Sequence, residues 1–210
     1  MHIISGACRG MTLVSPKGAP TRPTSARVRE ALIQMLEPEL DSSVFIDLFA
    51  GTGAVGIEAL SRGAKGAVFV EKNDASRRIL QTNLHNALER FAAQDLATPL
   101  CKVLNLDVQT DRASKPRWLQ IAKGLGAENT LLFVDPPYAQ AREVVTQLCL
   151  RFSFQGSGTL ILELPKQEAK AIVDATCARF PRWQVEKLRE YGQAHVVFLR
   201  EDTTAQPDTP

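Results

Sequence analysis

Five short apolar runs, separated by stretches of helical periodicity, constrain this chain more than any other feature. Val44 to Leu48, Ala67 to Val70, Leu100 to Leu106, Leu131 to Val134 and Thr159 to Leu164 are nearly continuous in apolar residues. A strand reads that way when both its faces are covered, as in a parallel sheet sandwiched between helices. Between the runs, Leu80, Leu84, Leu88 and Phe91 mark one helix face, and residues 140–151 and 166–179 are further helix candidates. Gln184 to Leu188 and His195 to Leu199 read as two more strands, joined by a turn at Tyr191-Gly192. The pattern predicts an α/β fold: a mostly parallel seven-stranded sheet, helices on both faces, and a C-terminal antiparallel hairpin.

The ends are organised differently. Residues 1–22 form a hairpin-like arm, with Ile3-Ile4 and Met11 to Val14 as its apolar pieces. From Thr24 onward Val28, Ala31, Leu32, Met35 and Leu36 recur at helical spacing, with Thr24 or Ser25 as N-cap and Pro38 as the end. Residues 109–128 read as a polar insertion with room for a short helix. The main domain is expected over 23–200, and the tail 201–210, EDTTAQPDTP, is expected to be disordered.

Composition bears mainly on what the chain is not. With 210 residues, 44% hydrophobic and 23% charged, it has enough apolar surface for one ordinary core. No apolar run approaches the roughly 18 residues of a membrane span, and no signal-peptide core stands at the start, so a cytoplasmic, non-membrane protein is expected. Cys8, Cys101, Cys149 and Cys177 are far apart and form no CxxC pair, so no metal site is expected. Charge is uneven: residues 1–36 carry Arg9, Lys17, Arg22, Arg27 and Arg29 against Glu30, a balance of +4, while the rest sums to −2. A basic end on a near-neutral body suits docking to a polyanion, and a merely solvated face is the alternative.

Two motifs carry the chemistry. Asp47-Leu48-Phe49-Ala50-Gly51-Thr52-Gly53-Ala54-Val55-Gly56 follows a strand and opens a helix that ends near Gly63. Glycines there let a ligand lie against the backbone, and the helix N-terminus favours an anionic group. Glu71, 20 residues beyond Gly51 at the end of the next strand, is placed to accept from ribose hydroxyls. This Rossmann-like loop suits a dinucleotide as well as S-adenosylmethionine (SAM). The second motif, Asp135-Pro136-Pro137-Tyr138, ends the fourth run. An exocyclic amine is a poor nucleophile because its lone pair is delocalised into the ring. The Asp135 carboxylate and the Pro136 carbonyl can accept its two hydrogens and aim that lone pair, while Pro137 stiffens the turn and Tyr138 stacks on the base. That chemistry favours methyl transfer over a nucleotide-dependent oxidoreductase or a non-catalytic RNA-binding protein. Asp107, placed at the end of the third strand, is a candidate acceptor for the adenine amine of the cofactor. Asp74 reads as the cap of the helix that follows Glu71.

Together these blocks resemble class I SAM-dependent methyltransferases. The chain is similar over roughly residues 1–200 to the RsmD family, the 16S ribosomal RNA (guanine-N2)-methyltransferases. Ile3-Ile4-Ser5-Gly6 with Arg9-Gly10, Arg22-Pro23-Thr24 through Arg27-Val28-Arg29-Glu30-Ala31-Leu32, residues 47–64, 68–73 and 132–138, and Tyr191-Gly192 carry the likeness. The resemblance implies that Asp47, Phe49, Gly51, Gly53, Glu71 and Asp107 line the SAM site. Asp135 to Tyr138 would hold the target guanine, and Arg22, Thr24 and Arg27 would lie over the cofactor or close to RNA. It further implies ribosomal RNA or an assembling small subunit as partner and a monomeric enzyme. Adenine N6 of RNA or DNA is the alternative target, since the same turn serves it. Met11 departs from the pattern, standing where a basic residue is expected.

Overall fold

The computed structural model describes residues 1–16, 25–111, 116–126, 128–154 and 157–202. Lys17, Arg22 and Thr24, and most of the tail 201–210, lie outside the described residues.

Seven strands form one sheet: β1 (Ser43–Asp47), β2 (Gly66–Val70), β3 (Leu100–Leu104), β4 (Asn129–Val134), β5 (Ser157–Pro165), β6 (Trp183–Tyr191) and β7 (Ala194–Glu201). Their order is β3-β2-β1-β4-β5-β7-β6, with β1 to β5 parallel and β7 antiparallel to both neighbours. The hairpin turns at Gly192, in the left-handed region with φ 58°. Among the described residues six α-helices cover the sheet: α1 (Ala26–Leu40), α2 (Ala54–Ser61), α3 (Asp74–Ala92), α4 (Arg117–Gly124), α5 (Ala141–Arg151) and α6 (Lys166–Arg179). Among the described residues no helix is long and apolar enough to cross a membrane.

The continuous apolar runs now have a physical explanation. Phe45, Phe69, Leu131 and Phe133 enter a core shared with α1, α2 and α3, while Val44, Ile46, Val68, Val70, Leu132 and Val134 enter a second core under α4, α5 and α6. Alternate residues of one strand therefore feed opposite cores, so neither set can be polar. Strand β3 is the exception. It lies at the sheet edge, ends at Leu104 rather than Leu106, and leaves Leu100 and Lys102 exposed.

Several expectations change at this level. The arm is integral to the fold, because Ile3, Cys8, Met11 and Leu13 are buried in the first core. Met11 therefore fills space, and a basic residue could not take its place without burying a charge. Pro38 does not end α1, which continues to Leu40; a proline in the last turn sacrifices one hydrogen bond while keeping a helical φ. Ser25 is the N-cap, accepting from the Val28 N–H at 3.2 Å. The stretch 109–128 holds the short helix expected there, and this α4 is part of the fold: it buries Trp118, Leu119 and Ala122 and packs on β1 and β2. Asn73, not Asp74, caps α3 by accepting from the Ser76 N–H at 3.0 Å.

Candidate active site at the carboxyl edge of the sheet

The connections reverse direction between β1 and β4, and open α/β sheets bind ligands in the crevice at such a point. Backbone hydrogen bonds hold the strand ends there in register. Leu48 N–H donates to the Phe133 carbonyl at 3.0 Å, Ala50 N–H to Val70 at 3.1 Å, and Glu71 N–H to Leu104 at 3.1 Å. The glycine loop after β1 is thereby flanked on one side by Glu71 and on the other by Asp135 to Tyr138.

The loop's conformation needs its glycines. Gly51 and Gly53 have φ of 53° and 81°, where side chains are strained. A Cβ on Gly53 would lie 2.2 Å from Leu80 Cδ1 of α3, whereas one on Gly51 would meet nothing within 4 Å. Gly53 is thus a packing requirement, and Gly51 leaves backbone bare toward the crevice. The Gly51 N–H donates to Glu71 Oε2 at 2.9 Å, and Asn73 N–H donates to Oε1 at 2.7 Å. A carboxylate has about four acceptor sites, so Glu71 retains capacity for two hydroxyls while bracing the loop.

Asp47 is 2% exposed, and its Oδ1 has no hydrogen-bond partner among the described residues. Burial pushes its carboxyl up from 3.8 to about 7, against the Gly56 and Phe49 backbone N–H groups, which favour the anion. A buried acceptor without a donor calls for a ligand cation or N–H group. Orphaned Oδ1, bare Gly51 and unsaturated Glu71 together fit SAM, which carries an ammonium and a ribose. Phe49, half-buried, packs against the second core at the loop's base.

On the β4 side, Asp135 is half-buried, Pro136 buried, and Pro137 and Tyr138 exposed, the tyrosine at 41%. The Pro137 carbonyl accepts from the Gln140 N–H at 2.8 Å, closing a single 3-10 turn, Tyr138–Gln140, that leads into α5. Gln109 Nε2 donates to Gln140 Oε1 at 2.9 Å and ties this turn to the loop after β3. Asp107 lies in that loop, three residues past the end of β3. Its Oδ2 pairs with Lys72 Nζ at 3.1 Å and its Oδ1 accepts from the Gln109 N–H at 3.0 Å.

Of the expected RNA contacts, Arg9 and Arg27 are exposed, but Arg29 is not available. Its side chain is 0% exposed, with Nε on Glu58 at 3.3 Å and Nη2 on the His2 carbonyl at 2.8 Å. Glu58, equally buried, also accepts from Ile4 N–H at 2.9 Å and Ser5 N–H at 3.0 Å. Arg29 is a structural cation pinning the arm, and its assignment to RNA is corrected. Sequence reasoning also missed Asn83, a fully buried polar side chain on α3. Its signal was present: Asn83 stands beside Leu84 on the apolar stripe of Leu80, Leu84, Ala87 and Phe91, where a polar group must find partners.

A parallel sheet closed by a reversed seventh strand inserted between β5 and β6 is the architecture of class I methyltransferases, not of dehydrogenases, and the chain has that fold. The family described as Conserved hypothetical protein 95 matches residues 1–200, and the chain belongs to this family, that of the RsmD-type methyltransferases. It is 33% identical over 142 residues to YlbH of Bacillus subtilis (strain 168), provisionally described as an rRNA methyltransferase; the match covers 68% of this chain and 69% of that one. Ribosomal RNA small subunit methyltransferase D of Escherichia coli (strain K12) is 35% identical over 138 residues, 66% of this chain and 60% of that one. Among solved structures, the Escherichia coli protein yhhF, provisionally described as a methyltransferase, superposes with a TM-score of 0.66 at 26% identity, covering 96% of this chain and 98% of that one.

Proposed function

We propose that the chain transfers the methyl group of SAM to an exocyclic base nitrogen of small-subunit ribosomal RNA, the N2 of a guanine. One observation carries this reading: the bare glycine loop after β1 and Asp135-Pro136-Pro137-Tyr138 after β4 flank the same crevice, at the strand pair where the connections reverse. The names of the two relatives support the choice of ribosomal RNA.

In this reading Asp47, Phe49, Gly51, Gly53, Glu71 and Asp107 hold SAM. When bound, SAM supplies an electrophilic methyl group on a sulfonium sulfur. Asp135 and the Pro136 carbonyl accept the two amine hydrogens, which turns the nitrogen lone pair toward the crevice. Asp135 is also the acceptor for the proton that leaves after transfer. Pro136 and Pro137 limit the backbone motion of the turn, so the acceptors are set before the base arrives. Tyr138 offers an exposed ring for an unstacked base, as required when the target amine is unreachable inside a helix. Positioning of this kind can supply several kcal/mol without a covalent intermediate.

The test is incubation of the protein with methyl-labelled SAM and small-subunit RNA or particles from cells lacking it, followed by nucleoside analysis. Label in N2-methylguanosine is expected. Label in N6-methyladenosine would assign the alternative target, and saturable NAD binding with none for SAM would end the methyltransferase reading.

A further inference from the structure

Asn83 belongs to none of the expected site residues, yet its amide joins two of their supports. Its Oδ1 accepts from the Val14 N–H at 2.8 Å, and its Nδ2 donates to the Val14 carbonyl at 3.0 Å and to the Thr52 carbonyl at 2.9 Å. Thr52 lies in the glycine loop between Gly51 and Gly53, and Val14 is three residues before Lys17, where the basic stretch of the arm continues. A carboxamide has two N–H groups, and both are committed here. Their directions are fixed by one planar group, so the arm cannot shift at Val14 without turning the amide away from Thr52. One turn earlier on α3, Leu80 packs where a Cβ of Gly53 would stand. A single helix face therefore grips two consecutive loop residues and the arm together. Asn83 is also fully buried, so no water replaces a lost partner without entering the core.

We propose that Asn83 is a positioning residue that couples the RNA-docking arm to the cofactor loop, so that a ligand at either site tightens binding at the other. The inference rests on the methyltransferase reading above. Coupling follows because a ligand that shifts or holds the Thr52 segment acts on the amide, and the same amide holds the backbone at Val14. The effect is reciprocal by thermodynamic necessity.

The experiment measures the affinity of the full chain for S-adenosylhomocysteine, the demethylated product, with and without saturating small-subunit ribosomal RNA. RNA should tighten product binding at least about fivefold, and product should tighten RNA binding by the same factor. In Asn83→Asp, which keeps the acceptor for the Val14 N–H and loses both donated bonds, the factor should fall to about one. Val14→Pro removes that N–H at the arm's exposed end, leaves the core of α3 untouched, and should lower the factor too. A merely structural Asn83 would lower stability but leave the factor unchanged. An unchanged factor in either folded variant overturns the proposal, as does a factor of one in the wild type when both ligands bind. If the wild type binds neither product nor RNA, the methyltransferase reading fails, and the inference with it.

Discussion

Replacing Asp47 with asparagine removes a buried carboxyl raised to about 7 by desolvation. The folded value lies above the unfolded one, near 3.8, so the neutral group's contribution is fully present below about pH 4 and is lost as pH rises toward 7. Over that window the ligand-free protein should lose on the order of 4 kcal/mol from this site. In Asp47→Asn that part of the pH dependence should vanish, as read by denaturant unfolding from pH 4 to 8. SAM binding should weaken at least tenfold in the same variant, about 1.4 kcal/mol, because a ligand ammonium loses its counter-charge. Asp135 and Glu71 should separate chemistry from binding. Asp135→Ala is expected to abolish transfer while leaving SAM affinity within several-fold. Glu71→Ala should cost SAM affinity on the order of 1–3 kcal/mol, since Glu71 braces the Gly51 N–H and holds ribose acceptors. Calorimetry beside single-turnover kinetics checks both, and an inactive Asp135 variant that cannot bind SAM would refute its assigned role.

At the scale of elements, the arm, α1 and α2 are held together by the buried Arg29–Glu58 pair, both side chains 0% exposed. Removing Arg29 leaves the buried Glu58 carboxylate only the Arg62 guanidinium, its Nε at 3.5 Å, as counter-charge, which costs on the order of 3 kcal/mol. Arg29→Met should therefore lower Tm by about 6–12 °C, at roughly 2–4 °C per kcal/mol for a domain this size. It should leave the salt dependence of RNA binding unchanged, the reverse of the outcome for a phosphate contact. The periodicity of α1 was legible, but its burial was rotated: the structure buries Val28, Arg29, Leu32, Ile33, Leu36 and Leu40, while Ala31 and Met35 are only half-buried. A charge that finds a buried partner 29 residues away is invisible to a rule that reads apolar spacing. In α4 the apolar residues Trp118, Leu119, Ile121 and Ala122 do recur at helical spacing, but the sheet face they cover is set only by the fold.

For the whole molecule, the question is where a folded RNA docks. Arg9 and Arg27 are exposed, and with Lys17 they are three of the four expected phosphate contacts that remain, Arg22 being the fourth. Neutralising all three should weaken RNA binding across sequences and flatten the log–log salt dependence by about 2–3, at roughly 0.7–0.9 per phosphate contact. SAM affinity measured without RNA should not move. Filter binding across a salt series decides it, and an unaltered slope would make the arm a solvated face. The sheet itself spaces these parts, since the arm and α1 share the core under the face that carries the glycine loop.

The α/β alternation, the parallel strands and the two motifs at strand ends were determined by the sequence alone, because each is a local pattern. A strand covered on both faces must be apolar throughout, and a loop that receives a ligand must lack side chains. The order of the strands, the burial of Arg29 and the three-way grip of Asn83 were decided only in the tertiary structure. Each depends on partners distant in sequence: Asn83 meets Val14 across 69 positions and Thr52 across 31. A polar side chain's role is set by which donors and acceptors the packed fold delivers to it, and no local spacing encodes that delivery.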